Sequence, residues 1–320
     1  INKGARKPWL LLGPNGHEMW IGPLFIPGET ACWACLAHRL RLNRRVEQHI
    51  WHHTGGSQIP PKVSDLAVGA TPIVYEMAAA QIASWQKDPD VSPLREQLSA
   101  FDPVKLKLTH HPVLRRPQCP SCGSSEVAAP QPVRLSPSPK TGSAGGTAGH
   151  DQRGIGLRNA GAEATLRKYA KHVSPVTGLV TALTKTSNAP GIHVFKGGRY
   201  TAQTSTTWSH LQSALNEHAS GKGMTEAQAK ASALAETLEW YSMDAAPNCT
   251  IAEETFTRLS AHERVLSPED LTHFSANQLS AAQDAASKGE TRPKRVPDPF
   301  DPDHLVDWRP VWSLTAEDWV

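Results

Sequence analysis

Hydrophobic and polar positions separate most cleanly between residues 225 and 243. Ala227, Ala231, Leu234, Leu238 and Tyr241 fall on one side of a helix drawn at 100° per residue. Gln228, Ser232, Glu236 and Glu239 lie within roughly 40° of a common direction on the other side. Thr225 followed by Gln228 has the spacing of a capping box, which marks the helix start. Further helices are predicted from Cys32 to about His53, from about Pro72 to Gln86, over 208–219 and over about 276–287. Strand-like runs at Trp9 to Leu12 and Met19 to Phe25 flank Gly13-Pro14-Asn15-Gly16 and read as a hairpin. Thr177 to Leu183 and Ile192 to Phe195 also read as strands, so the fold class is α+β.

Between Ser124 and about Gly156 the pattern disappears into Ser, Pro, Gly and Ala, a composition that buries little surface. This divides the chain into a first segment, 1–123, a linker, 124–156, and a second segment, 157–320. The 320 residues are 39% hydrophobic and hold no membrane-length apolar run or secretory signal, which points to the cytoplasm. A net charge of +3 gives no reason to expect nucleic acid or a membrane as partner, and the arginines at 39, 41, 44 and 45 read as a solvated helix face.

Four of the five cysteines form two Cys-x-x-Cys pairs, Cys32/Cys35 and Cys119/Cys122, the second followed by Gly123. Two such pairs can complete a tetrahedral zinc site; a redox pair and unrelated buried thiols are the alternatives. More than eighty residues separate the pairs, so the fold must bring them together. Cys249 stands alone and reads as a small buried residue. The adjacent histidines His52/His53 and His110/His111 could replace a thiolate but read better as surface or packing residues. On the helix, Glu236 and Glu239 repel each other unless a cation lies between them. Magnesium carrying a nucleotide phosphate is the usual hard partner, and a solvated face is the alternative.

A resemblance narrows these choices. Gly221-Lys222-Gly223, Gln228-Ala229 and the run Ser232-Ala233 to Glu236, Glu239 and Tyr241-Ser242 are similar to the opening signature of the YcaO family. His172-Val173-Ser174-Pro175-Val176-Thr177-Gly178 resembles the segment that precedes it in azoline-forming members. Lys7-Pro8-Trp9-Leu10-Leu11, Trp20 to Phe25 and Cys32 to Arg44 resemble the cyanobactin heterocyclases, in which a ThiF-like domain is fused to a YcaO domain.

The resemblance implies a partial ThiF-like domain with a four-cysteine zinc staple, followed by the amino-terminal part of a YcaO domain. It implies an ATP-dependent cyclodehydratase that turns Cys, Ser or Thr of a ribosomal precursor peptide (leader plus core) into thiazoline or oxazoline. In that chemistry ATP phosphorylates the oxygen of a hemiorthoamide and so makes it a leaving group. Glu236 and Glu239 would hold magnesium, with Ser232 in support, Ser174 at phosphate, and Lys222, placed in a Gly-rich turn, at phosphate or substrate. Zinc would be structural, and a homodimer is implied.

Three departures temper the expected activity. Trp240 stands where the family has arginine, whose charged fork tryptophan cannot replace. Val311-Trp312-Ser313-Leu314-Thr315 resembles a segment near the middle of a YcaO domain, so later nucleotide-binding motifs would lie beyond Val320. Ile1 enters the ThiF-like region midway, so the chain reads as an interior fragment, inactive alone. The rival readings are a non-catalytic subunit that binds precursor peptide or scaffolds a complex, and a plain zinc-binding interaction module. Breaking the zinc staple is expected to loosen the first segment while leaving the helix around Glu236 intact.

Overall fold

A computed structural model of the chain describes residues 7–55, 69–90, 92–123, 131–134, 160–187, 190–198, 207–216, 218–244, 252–287, 296–297 and 300–320. Contacts divide the chain into two units, residues 1–127 with 144–246, and residues 128–143 with 247–320. The Ser/Pro/Gly-rich stretch, apart from 131–134, and the lone Cys249 lie outside the described residues.

The first unit opens with the expected hairpin, β1 (Trp9–Gly13) against β2 (Met19–Phe25), antiparallel. Two helices follow, α1 (Trp33–Leu42) and α2 (Arg45–His53). One continuous helix was predicted here. It breaks because Arg44 takes a non-helical backbone (φ −127°, ψ 56°) and Asn43 turns its amide to the carbonyls of Val176 (2.9 Å) and Gly178 (3.1 Å). Next come α3 (Thr71–Lys87), with Pro72 in its first turn, and β3 (Gln97–Asp102) and β4 (Lys107–Pro112). The last two complete an antiparallel sheet in the order β1-β2-β3-β4. Met19, Ile21 and Leu24 of β2 pack against Val74 and Ala78 of α3 and against Leu94, forming one core. Phe25, Leu36, Leu98, Val113, Cys35 and Cys119 form a second core around the cysteines.

The same unit continues with α4 (Ala162–Tyr169), β5 (Leu183–Ser187), β6 (His193–Gly198), α5 (Trp208–Asn216), β7 (His218–Gly223) and α6 (Glu226–Asp244). Strands β5, β6 and β7 form an antiparallel sheet in that order, and α6 lies on it. Thr177 to Leu183, read as a strand, is not one: Thr177 closes a turn over 175–177, and β5 begins only at Leu183. The Ser174 hydroxyl accepts the N–H groups of Val176 (3.2 Å) and Thr177 (3.1 Å), and that local bonding outcompetes the β-branched side chains.

The second unit holds β8 (Ala252–Glu254), α7 (Phe256–Leu259), α8 (Pro268–Thr272), α9 (Ala276–Ser287), β9 (Val306–Trp308), β10 (Trp312–Ser313) and β11 (Asp318–Trp319). Strands β8 and β9 pair, as do β10 and β11. Phe256 sits edge-on to Phe300 at 5.7 Å and beside Trp308 at 6.0 Å, a small aromatic core.

Candidate functional site: a four-cysteine cluster and an acidic helix stripe

Cys32 and Cys35 lie at the start of α1, and Cys119 and Cys122 in the turn before Gly123. Their sulfurs come together: Cys32 to Cys119 at 3.5 Å, Cys35 to Cys122 at 3.4 Å, Cys32 to Cys35 at 3.9 Å, and all four within 4.8 Å of one another. Four sulfurs at the Zn–S bond length of about 2.3 Å stand about 3.8 Å apart in a tetrahedron, so the donor set fits a tetrahedral thiophilic ion. The spacings are far beyond the roughly 2.05 Å of a disulfide. Among the described residues, this is the group of three or more His, Cys, Asp or Glu side chains able to hold a metal.

The surrounding backbone builds the cluster. The Cys35 N–H donates to the Cys32 carbonyl (3.0 Å), and the Gly123 N–H donates to the Cys119 carbonyl (2.8 Å). Gly123 permits that tight turn, since a Cβ there would collide with the Pro117 carbonyl. The Arg116 N–H points at the Cys35 sulfur (3.4 Å), and the Arg115 guanidinium clasps the Cys122 carbonyl through Nε (2.7 Å) and a second nitrogen.

Burial raises the Cys32 thiol to about 11, opposed in part by the Cys35 N–H, and burial raises Cys35 further still. At Cys119 burial also pushes upward. The Ser121 and Cys122 N–H groups and the Cys32 and Cys35 thiols together outweigh it and bring Cys119 down to about 7. Four sulfurs this close cannot all ionise unless a cation shares their charge.

The acidic stripe lies on α6. Its capping box forms as the spacing predicts: the Gln228 N–H donates to Thr225 Oγ1 (3.2 Å), and the Thr225 N–H donates to Gln228 Oε1 (3.2 Å). The helix buries more than the side read from the sequence. Ala231 and Leu234 are buried as expected, but Ala229, Ala233 and Thr237 are buried too, and Ala229 and Ala233 pack on Phe195 of the sheet.

Small residues on both surfaces allow this. A Cβ on Gly221 would collide with the Ala229 carbonyl and the Ala233 nitrogen, so Gly221 admits the helix backbone directly onto β7. The Gly-Lys-Gly run is therefore strand rather than turn, and this corrects the placement of Lys222. Its Cα pairs with Val194 in β6, and its side chain is exposed.

Ser232 and Glu236 are half-buried, and Glu239 is exposed. Glu236 Oε2 accepts the Ser220 N–H of β7 at 3.1 Å, which fixes one oxygen of that carboxylate beside the strand. Neighbouring Glu226 is held below the usual carboxylate range by its hydrogen bond and ion pair with Lys230 (2.6 Å).

Ser174 lies apart from the stripe, only 3% exposed, and its hydroxyl hydrogen-bonds His111 Nδ1 at 3.0 Å. Thr109 Oγ1 lies at 3.0 Å from His111 Nε2 and donates to the Ala100 carbonyl (3.3 Å). That leaves the ring proton on Nε2 and lets Nδ1 accept from Ser174. Burial lowers the His111 pKa, in keeping with a neutral ring. His111 was read as a packing residue, and its neighbour His110 bonds Ser99 Oγ (3.0 Å) in the same sheet. Arg115, Arg116 and Asn43 were not singled out by sequence reasoning. Arg115 and Arg116 adjoin the Pro117-Gln118-Cys119 approach to the second pair, and that adjacency was the available signal.

The sequence model of the YcaO cyclodehydratase family, described as ATP- and Mg2+-binding, matches residues 220–320. The match includes the whole of α6 with Glu236 and Glu239. The full fold is similar to that of a heterocyclase solved in complex with substrate and cofactor. The TM-score is 0.79 with 29% identity over 99% of this chain and 41% of that one. It is also similar to the heterocyclase TruD, with TM-score 0.63 and 27% identity over 98% of this chain and 38% of that one. The chain thus spans about two fifths of the length of these heterocyclases. No curated protein matches it. Among the described residues no helix is long and apolar enough to cross a membrane.

Proposed function

We propose that this chain is part of an ATP-dependent heterocyclase that converts Cys, Ser or Thr of a ribosomal precursor peptide into an azoline ring. The observation that carries this reading is the YcaO match over α6, a helix whose carboxylate stripe stays accessible while Ala229, Ala233, Leu234 and Thr237 are buried. Glu236 and Glu239 would hold magnesium, with Ser232 beside them. Magnesium-ATP would supply the activation of the amide oxygen for loss of water.

The chain's own contribution is positioning. The Ser220 N–H orients one Glu236 oxygen, and the Thr225–Gln228 box and Gly221 fix where α6 starts and how closely it lies on the sheet. Lys222, exposed on β7, is available to phosphate or peptide. We assign no phosphate to Ser174, whose hydroxyl is buried against His111. The cysteine cluster would hold a structural zinc, and its residues belong to the ThiF-like part of the proposal, 1–123, with the YcaO part beginning near 157. The partner would be the precursor peptide, and the working form a homodimer in the cytoplasm.

One observation favours the second reading, a non-catalytic peptide-binding or scaffold subunit. Half-buried Trp240 stands where the family signature has arginine. Calorimetric titration of ATP into the chain with and without Mg2+ separates the two. The enzyme reading expects magnesium-dependent binding that Glu239→Gln weakens at least about tenfold. Binding that ignores magnesium and Glu239 leaves the non-catalytic subunit as the better account.

A further inference from the structure

Main-chain hydrogen bonds tie Cys32, Cys35 and Cys119 into the fold. The Cys35 N–H (3.0 Å) and the Leu36 N–H (3.3 Å) donate to the Cys32 carbonyl, and the Cys119 N–H donates to the Arg116 carbonyl (3.1 Å). A side chain holds Cys122. Nε (2.7 Å) and Nη2 of Arg115 both donate to the Cys122 carbonyl, whose oxygen has a lone pair for each. Nη1 of the same guanidinium donates to the Gly28 carbonyl at 3.3 Å, across 87 positions of sequence. Gly28 lies in the turn between β2 and Cys32, with a left-handed backbone (φ +85°). Thr30 fixes that turn: its Oγ1 accepts the Ile26 N–H (2.8 Å), and its own N–H donates to the Ile26 carbonyl (3.1 Å). One guanidinium therefore joins the turn leading into the first cysteine pair to the last cysteine of the second.

We infer that Arg115 is a positioning residue for the metal site, a clasp that sets the Cys122 sulfur against the Cys35 sulfur (3.4 Å) and governs how long Cys122 stays on the ion. The inference rests on the reading of the cluster as a zinc site. Arg115 is exposed, so the clasp can open without unfolding the core behind it. Opening frees the Cys122 turn from the Gly28 turn, while the other three cysteines keep their main-chain bonds. Cys122 is only half-buried, so a reagent in solution reaches it once the turn moves. The clasp needs a planar fork with donors in fixed directions. Lysine brings the same charge as a single flexible point and cannot reproduce the fork.

The test loads wild type, Arg115→Gln, Arg115→Lys and Arg41→Gln with Zn2+ and follows two quantities. One is the rate of zinc transfer to an excess of chromogenic chelator. The other is which cysteine N-ethylmaleimide modifies first, read by peptide mass spectrometry. Arg41 is exposed on α1, so its variant controls for the loss of one positive charge. Wild type and Arg41→Gln are expected to release zinc at the same rate. Both Arg115 variants should release it at least about tenfold faster, with Cys122 modified ahead of the other three. Modification of all four cysteines together would mean a general loosening of the fold and overturns the assignment. Release from Arg115→Gln at the wild-type rate overturns it too, as does full retention in Arg115→Lys, which would make charge rather than the fork the cause. Failure of wild type to take up zinc removes the metal reading itself, and this inference with it.

Discussion

The guanidinium of Arg39, on the helix that starts between the first two cysteines, lies over the ring of Tyr241 at 5.0 Å, near the end of the helix that bears Glu236 and Glu239. Arg39 is only 6% exposed, so this contact is made away from water, where the attraction between a cation and a ring face is strongest. It is reinforced nearby by Asn43 on the 176–178 turn and by His111 on Ser174. The cysteine-bearing part and the acidic helix are therefore one packed body.

Replacing Tyr241 by leucine keeps the apolar bulk and removes the ring face. The expected cost is about 1–2 kcal/mol of stability, with faster hydrogen exchange along α6. Urea unfolding of the two chains checks the first, and exchange mass spectrometry the second. An unchanged midpoint and unchanged α6 protection would show that Arg39 does not hold this helix.

Gly221 gives a sharper case. Alanine there adds one methyl group in a strand, where its backbone is ordinary, yet that carbon would meet the backbone of α6 rather than a movable side chain. Gly221→Ala is expected to destabilise the chain by about 1–3 kcal/mol, and by more if the helix cannot lift. Alanine at exposed Gly161, where a Cβ meets nothing within 4 Å, is the control and should stay within about 0.5 kcal/mol of wild type. Equal stability of the two variants would remove the close-packing account.

The mixed helix-and-sheet class, the first hairpin and the helices at 226–244 and 276–287 were legible because periodicity and caps act locally. The two Cys-x-x-Cys pairs also announced themselves, since their spacing carries the chemistry. Strands β3 and β4 were missed. The exposed face of β4, Lys107 to Pro112, lacks an apolar alternation, and its identity comes from pairing with β3 across the whole register. Lys222 was misplaced for a related reason. Two glycines suggest a turn, whereas here they make room for a helix, a requirement set by tertiary packing. The roles of Arg39, Asn43 and Ser174 depend on partners 63 to 202 positions away, from Ser174 with His111 to Arg39 with Tyr241, and no local pattern reports those.

Acid should destabilise this fold well before ordinary carboxylates titrate. Burial, helped by Arg116, Arg39 and Arg41, lowers His38 from 6.5 to about 4; burial also lowers His111 and His172. The folded chain thus refuses protons that the unfolded chain accepts below about pH 6.5. Stability is full above that value and falls as pH drops, by up to about 1.4 kcal/mol per pH unit for each histidine involved. For His38 the loss continues down to about pH 4. Denaturation midpoints measured from pH 8 to pH 5 should decline, and His111→Asn, which keeps a polar partner near Ser174, should flatten the slope. A midpoint constant down to pH 5 would contradict the buried neutral histidines.

Loss of the cysteine cluster should reach further than its own neighbourhood. Cys119→Ser replaces a soft thiolate with a hydroxyl that binds zinc poorly, so elemental analysis should show zinc content falling toward zero. Removing a structural zinc forfeits several kcal/mol of folding free energy. The expectation from the sequence was that the helix around Glu236 would be spared. Arg39 lies one turn beyond Cys35 on the same helix, so loosening the turn that the cysteines fix also loosens the guanidinium over Tyr241. Hydrogen exchange should therefore accelerate in α1 and in the Tyr241 end of α6 together, and a chelator added to wild type should reproduce both. Acceleration confined to α1 would show that the cluster and the acidic helix are independent. Retained zinc in Cys119→Ser would remove the cluster's assignment altogether.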